Sequence, residues 1–557
     1  MKRGRKIALL IMINGLFLLF VLARRQNGFE GNDDELMNLI AAGGFGSSNA
    51  HLIYMSAIAE GFISLLYRLP FFLNYYLMFL LAVSFLSISI ITSVCFAKYP
   101  LRIGVLCTLG LNLLFLFDFE VSLQYTKSAA LLASAGVILM HLGSRSGSVR
   151  RSLFGLLFLI AALSIRLESA LFTLPFFLWW MKESIGFELF HPETWKHSLQ
   201  MARTTRRLWA VAVSAAAALF SILVGRLPYL TRAWREYEIY NKARTALLDY
   251  GMADYETHAD EYVSIGVSYT EYELLSKWVY ADPEVFSAEK LQRINGIEKN
   301  RMSVQSLLEA LRHLILALLH GSYAAGVILL GVVLFRHGRK DRQSLVWTSF
   351  LLILMEYLFL GVLGRINVRV ELGIWIAPLL VFLYECRGSK VSLSVREGWI
   401  IGILSAAIVC RSGIAAFLQM QENQAEKTRM ERFAEAVRNR NEDLYLLDEM
   451  TIYGEGMIFG SPYALTAGIS GRFCNICPLG GWEYPAPFLM DNLSVYGVNN
   501  PLKDLLYQER VHLACSGREG IQDTILACLQ ENYDPGAYME QTDEIEGIPI
   551  YDFHVGS

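Results

Sequence analysis

Long apolar runs separated by short polar stretches dominate the chain, at residues 7–23, 71–97, 103–118, 121–142, 152–181, 208–225, 309–335, 344–363, 372–386 and 397–418. An α-helix needs about 20 such residues to cross the hydrocarbon of a bilayer. The stretch 152–181 is too long for one crossing and carries Arg166 and Glu168 at its centre, with Pro175 beyond. Charges in mid-bilayer are costly, so this stretch predicts two short helices that turn at the membrane face.

Lysines and arginines orient these helices. Lys2, Arg3, Arg5 and Lys6 precede the first run, and Ala23-Arg24-Arg25-Gln26 after it is a poor cleavage site. The run reads as a first transmembrane helix with a cytoplasmic N-terminus, not as a signal peptide. Further basic clusters stand at Lys98 and Arg102, at Arg145, Arg150 and Arg151, at Arg203, Arg206 and Arg207, at 336–342, and at Arg387, Lys390 and Arg396. All of them reach the cytoplasmic face only if 152–181 crosses twice, which predicts about eleven spans. Residues 24–70, the loop 226–307 and the polar tail then lie on the outer side.

The outer regions have patterns of their own. In 24–70 an acidic cluster is followed by the half-apolar Leu36-Met37-Asn38-Leu39-Ile40, a break at Gly43-Gly44-Phe45-Gly46, and an apolar stretch 53–69 suited to an interfacial helix. Loop 226–307 mixes aromatic and charged helix-forming segments with a turn or helix start at Asp282-Pro283, and predicts a small helical cap. In the tail, a charged helix at 431–441, strands at 444–447 and 511–514, a helix at 521–531 and a hairpin through Gly547 flank a Gly/Pro-rich middle at 479–487. The predicted fold class is an α-helical polytopic membrane protein, residues 1–424, with a C-terminal extracytoplasmic α/β domain, residues 425–557.

Composition agrees. The 557 residues are 54% hydrophobic and 18% charged, with a mean hydropathy of +0.37, the profile of a multi-pass membrane protein. A net charge of −3 without a basic stripe leaves no nucleic-acid footprint. Gly454-Glu455-Gly456 and Gly480-Gly481 lack the strand-to-helix context of a nucleotide fingerprint. Of the eight cysteines, Cys474, Cys477, Cys515 and Cys528 fall in the tail. The first pair has metal-knuckle spacing, but the second is too widely separated for a zinc ribbon, which leaves disulfides or free thiols.

Candidate chemistry begins just beyond the first span, at Gly31-Asn32-Asp33-Asp34-Glu35. Carboxylates so close together, near low dielectric, raise one pKa towards the range of a general base. The alternative is that these acids cap the helix starting at Glu35. Arg166, Lys127, Arg365 and Arg369 are candidate ligands for a lipid phosphate, since Arg365 and Arg369 stand one helical turn apart and present planar forks on one face. Snorkelling, or pairing with Glu371 or the acidic loop, is the bland alternative for the last two. For Arg166, inside an apolar stretch, the alternative is a structural pair with Glu168 or Glu120. His51 and Glu60, in the same outer loop, are candidates for acceptor or sugar binding, although His51 equally reads as a satisfied interfacial residue. Trp234, Tyr237, Tyr240, Trp278 and Tyr280 suit either sugar stacking or anchoring at the interface.

The first helix, the acidic outer loop and the exterior tail, with Asn32-Asp33-Asp34, His51, Tyr125-Thr126, Ile165-Arg166, Asp249-Tyr250, Gly364-Arg365 and Arg369-Val370, resemble the GT-C superfamily of polyprenyl-phosphate-sugar-dependent membrane glycosyltransferases, close to multispanning envelope proteins of Gram-positive bacteria. The resemblance implies an inverting transfer of a sugar from a polyprenyl-phosphate donor to a cell-envelope glycan, teichoic acid or protein, outside the cytoplasmic membrane. It makes Asp33 the first choice as base and Asp34 the second. Such a donor carries its own leaving group, so the protein must mainly deprotonate an acceptor hydroxyl and stabilise the released phosphate. No cofactor is required, and arginines suffice for a monophosphate; a divalent cation held by Asp33 and Asp34 is compatible with the same chemistry. The rival expectations are an O-antigen-type polymerase or ligase leaning on Arg232, Arg235, Arg244 or His258, a transporter or flippase of lipid-linked sugars, and a noncatalytic assembly protein.

Overall fold

The apolar runs fold as helices. The computed structural model describes residues 3–46, 49, 51–69, 73–185, 207–297, 304–337, 340–364, 366–386, 394–423, 428–454, 471, 473–517 and 520–556. Among these, six helices are long and apolar enough to cross a membrane: Arg3–Arg24, Tyr75–Cys95, Leu101–Val121, Tyr125–Ser146, Arg342–Leu363 and Val395–Glu422. A seventh crossing is available to the pair Ser306–His320 and Ser322–His337, which is bent by 76°. The sequence pattern reads this stretch as one straight span. The break falls at Gly321, whose amide bonds back to the Ala317 carbonyl at 2.8 Å. A Cβ there would lie 2.4 Å from that same oxygen, so only glycine fits the bend.

The long run 152–181 is two helices, Val149–Ile165 and Leu167–Ile185, with Arg166 in extended backbone between them. Val149–Ile165 packs closely on Tyr125–Ser146 because Gly136 and Gly155 face each other; a Cβ on either would meet the other's carbonyl oxygen at 2.8 and 2.5 Å. Polar side chains join the first three spans. Asn14 donates to Ser89 and Thr92 at 3.2 and 3.0 Å, and Asn112 donates to Asn14 at 2.8 Å.

A short parallel pairing ties the loop after the first helix to these spans. Strand β1 (Gly28–Phe29) lies beside β2 (Ser122–Leu123), which follows a π-helical turn at Phe117–Val121. The chain beyond β1 forms the helix Asn32–Ala42, and a second short helix runs over Ala57–Leu66, inside the apolar stretch predicted for the interface.

The loop that follows Arg207–Gly225 carries four helices, Arg232–Leu248, Ala259–Ser264, Tyr269–Ser276 and Ala288–Gly296. Asp282 closes a turn by accepting the amides of Glu284 and Val285 at 2.9 and 3.0 Å. The tail holds a five-stranded mixed sheet with order β4-β3-β5-β7-β6. Strand β3 (Leu444–Leu447) is buried at every position and runs parallel to β4 (Ile476–Pro478) and β5 (Val511–Ala514). The hairpin β6 (Tyr538–Ile545) and β7 (Ile548–His554) completes it, turning at Glu546 and Gly547, both in left-handed backbone. All eight cysteines are free. Among the described residues no group of three or more His, Cys, Asp or Glu side chains is arranged to hold a metal.

Loop and tail lock together. The amides of Tyr280 and Ala281 bond to the Leu479 carbonyl at 2.9 and 3.0 Å, and the Tyr280 hydroxyl donates to the Gly481 carbonyl. A Cβ on Gly480 would sit 1.7 Å from the Trp278 carbonyl oxygen, so the two backbones meet only because residue 480 has no side chain.

Candidate functional site

The acidic run lies inside the helix Asn32–Ala42, which starts ahead of the predicted Glu35. Gly31 is its N-cap and no side chain caps it, so Asp33, Asp34 and Glu35 occupy the first turn instead of serving as the cap. The free amides and dipole of that turn favour anions. Successive helical residues point about 100° apart, and this separates the two aspartates.

Asp33 is partly buried and held from two directions. Arg369 Nη1 donates to its Oδ2 at 3.0 Å, and Trp482 Nε1 donates to its Oδ1 at 3.1 Å. Asp34 has no exposed surface. Its Oδ1 accepts from the Tyr76 hydroxyl at 2.8 Å and the Tyr125 amide at 3.0 Å. Burial pushes its pKa well above the usual carboxylate range, with the neighbouring Asp33 charge adding to the shift.

Asp33 opens onto a cavity of about 750 Å³. One end is polar and charged, with Tyr125, Arg166, Glu168, Tyr250, Asn367 and Arg369 beside Asp33. The other side is apolar, and Leu171, Met355, Phe359 and Leu363 there are exposed on the outside of the helical bundle. The cavity therefore joins a charged pocket to an exposed apolar surface.

Arg166 stands at the break between its two helices. Its Nε pairs with Glu168 at 3.0 Å, and its guanidinium lies 5.2 Å from the ring centre of Tyr54 and 5.7 Å from that of Tyr125. Lys127 is placed elsewhere. Its ammonium is buried, paired with Asp118 at 2.6 Å and with Glu30, and Asp118 also accepts from the Tyr323 hydroxyl at 2.7 Å. Two carboxylates already neutralise it away from the cavity wall, and its effect is to tie the loop after the first helix to the spans. Arg365 lies outside the described residues.

His51 and Glu60 support the site from behind. His51 stacks on Trp234 with ring centres 4.2 Å apart and shares a 2.9 Å contact with Asn49 Oδ1; burial lowers its pKa. Glu60 is 1% exposed. Burial pushes its carboxyl up to about 8, against the pull of the Leu52 and Ile53 amides that face it. Those amides belong to a strained turn. Ile53 has φ of 65°, a left-handed conformation that a β-branched side chain resists. The turn presents Tyr54, whose ring lies parallel to Tyr125 at 6.3 Å and edge-on to Trp482 at 5.0 Å.

The aromatic residues of the cap are structural in this arrangement. Trp234, Tyr237, Tyr240 and Tyr280 are buried, and the Tyr237 hydroxyl donates to the Trp482 carbonyl at 2.6 Å. Trp482, Tyr54 and Tyr76 are absent from the sequence-based site. The only local signal for Trp482 is its place in the Gly/Pro-rich stretch 479–487. No family model matches the chain, and no curated protein or solved structure matches it either.

Proposed function

We propose that this chain is a membrane glycosyltransferase that moves a sugar from a polyprenyl-phosphate donor to an acceptor hydroxyl of the cell envelope. One observation carries the reading: Asp33, Arg166 and Arg369 share a single cavity whose other side carries exposed apolar side chains. An anionic lipid headgroup fits the arginines, and its chain fits the apolar side.

In this reading Asp33 accepts the proton of the acceptor hydroxyl as that oxygen attacks the anomeric carbon. The bond from that carbon to the phosphate oxygen breaks, and the polyprenyl phosphate leaves with its charge held by Arg166 and Arg369. Attack opposite the leaving group inverts the anomeric centre. Asp34 supports the turn and takes no proton from substrate. About eleven spans, with the cap and tail outside the cytoplasmic membrane, complete the proposal. The polymerase alternative leans on the long loop, but Arg244 there is held by Asp249 and Asn241 and Arg232 by Glu236.

The test is release of free polyprenyl phosphate by purified protein in lipid, given polyprenyl-phosphate sugars and a crude envelope acceptor. Wild type releases it, and Asp33→Asn lowers the rate at least a thousandfold while still binding donor. Equal release by both proteins, or none by the folded wild type with any donor, refutes the proposal.

A further inference from the structure

Two acid–arginine pairs line the cavity, and only one of them is fixed. Asp33 stands with Arg369 and Glu168 with Arg166, both at 3.0 Å, so these four side chains leave no net charge to draw in an anion. A phosphate that enters must either lie beside intact pairs, close to both carboxylates, or take the place of one carboxylate on its arginine. The second course costs little where that carboxylate is loosely held.

Asp33 is held tightly. Its side chain is 19% exposed, and its two oxygens are engaged by Arg369 and Trp482. Glu168 differs: its side chain is 62% exposed. It sits in the first turn of the helix Leu167–Ile185, where the side chain can change rotamer without moving the backbone. Arg166 is 22% exposed and is held by more than this pair. The rings of Tyr54 and Tyr125 lie 5.2 and 5.7 Å from its guanidinium, and its backbone is the extended link between two helices. When the pair opens, the carboxylate moves and the guanidinium stays.

Resting on the function proposed above, we infer that Arg166 is the landing point of the lipid phosphate and that Glu168 is its placeholder. The Glu168 carboxylate occupies the guanidinium while the cavity is empty. It gives way to a phosphate that fits the same planar fork and whose lipid chain is buried at the same time on the apolar side. Asp33, kept by Arg369 and Trp482, stays in place as the base. A carboxylate that buttressed Arg166 would strengthen phosphate binding, whereas a placeholder competes with it.

Binding is measured in phosphatidylcholine nanodiscs with two probes, polyprenyl phosphate and the neutral polyprenol. Wild type prefers polyprenyl phosphate, and Glu168→Gln and Glu168→Ala each bind it about threefold or more tighter than wild type does. Arg166→Gln binds it about tenfold more weakly. In that background Glu168→Gln brings no gain, which separates exchange on Arg166 from a general relief of negative charge. Binding of polyprenol is the same throughout. If wild type prefers polyprenyl phosphate but neither Glu168 variant binds it tighter, or the gain persists without Arg166, the placeholder role is overturned and the transferase reading stands. Polyprenyl phosphate bound no better than polyprenol by wild type and by both Glu168 variants overturns both.

Discussion

Trp482 donates its indole N–H to the carboxylate of Asp33 at 3.1 Å, although the two stand 449 positions apart in the chain. With Arg369 on the other oxygen, both sides of the Asp33 carboxylate are fixed by groups from distant segments. The tail is thus part of the site that the loop after the first helix begins.

Trp482→Phe keeps the ring and removes the donor. A hydrogen bond to a charged group contributes ~1.5–3 kcal/mol, so under the proposed function turnover falls about tenfold or more while donor affinity changes little, because Arg166 and Arg369, the proposed phosphate ligands, are untouched. Steady-state polyprenyl phosphate release, resolved into kcat and KM, checks this. A loss confined to KM would contradict the orienting role.

Asp34 is predicted to matter for stability. Asp34→Leu strands the Tyr76 hydroxyl and the Tyr125 amide in the interior and costs on the order of 2–4 kcal/mol. Asp34→Asn retains an acceptor oxygen and costs less. Thermal unfolding in detergent ranks them as wild type, Asn, then Leu, and the Asn variant keeps most of the turnover that Asp33→Asn loses.

Glu60 gives a pH dependence of known sign. Its carboxyl titrates near 8 when folded, against an ordinary value near 4.5. The folded state therefore holds the proton more tightly, and this contribution to stability is complete below about pH 4.5 and is lost as pH rises to about 8. Glu60→Gln removes the dependence. Its melting temperature minus that of wild type grows from pH 5 to pH 8 and is level above, by an amount equivalent to at most ~4 kcal/mol. A difference that does not change with pH would contradict the burial of this group.

Gly480→Ala places a methyl group against the Trp278 carbonyl. Neither backbone has room to yield, so the cap and tail separate there and Trp482 is drawn from Asp33. The expected cost is ~3 kcal/mol or more, seen as a lowered melting temperature with near-complete loss of turnover. Gly497→Ala, at an exposed tail glycine in left-handed backbone but open space, costs about 1 kcal/mol and leaves turnover intact.

The sequence by itself determined what depends on local pattern and on the cost of charge in hydrocarbon. The apolar runs became helices, the charged centre of 152–181 became a break at Arg166, and the strands Leu444–Leu447 and Val511–Ala514 lie where alternating and continuous apolar residues put them. The acid cluster also stood out in the sequence, because three adjacent carboxylates directly after an apolar run are costly there. Tertiary structure alone decided the rest. It separated Asp33 from Asp34 by turning one into the cavity and sealing the other behind Tyr76. It buried Lys127 between two carboxylates and bent the 309–335 run at Gly321. It also brought Trp482 to Asp33. Periodicity specifies which residues share a face of one helix, but which face meets which, and which charges find partners, is fixed only when distant segments pack.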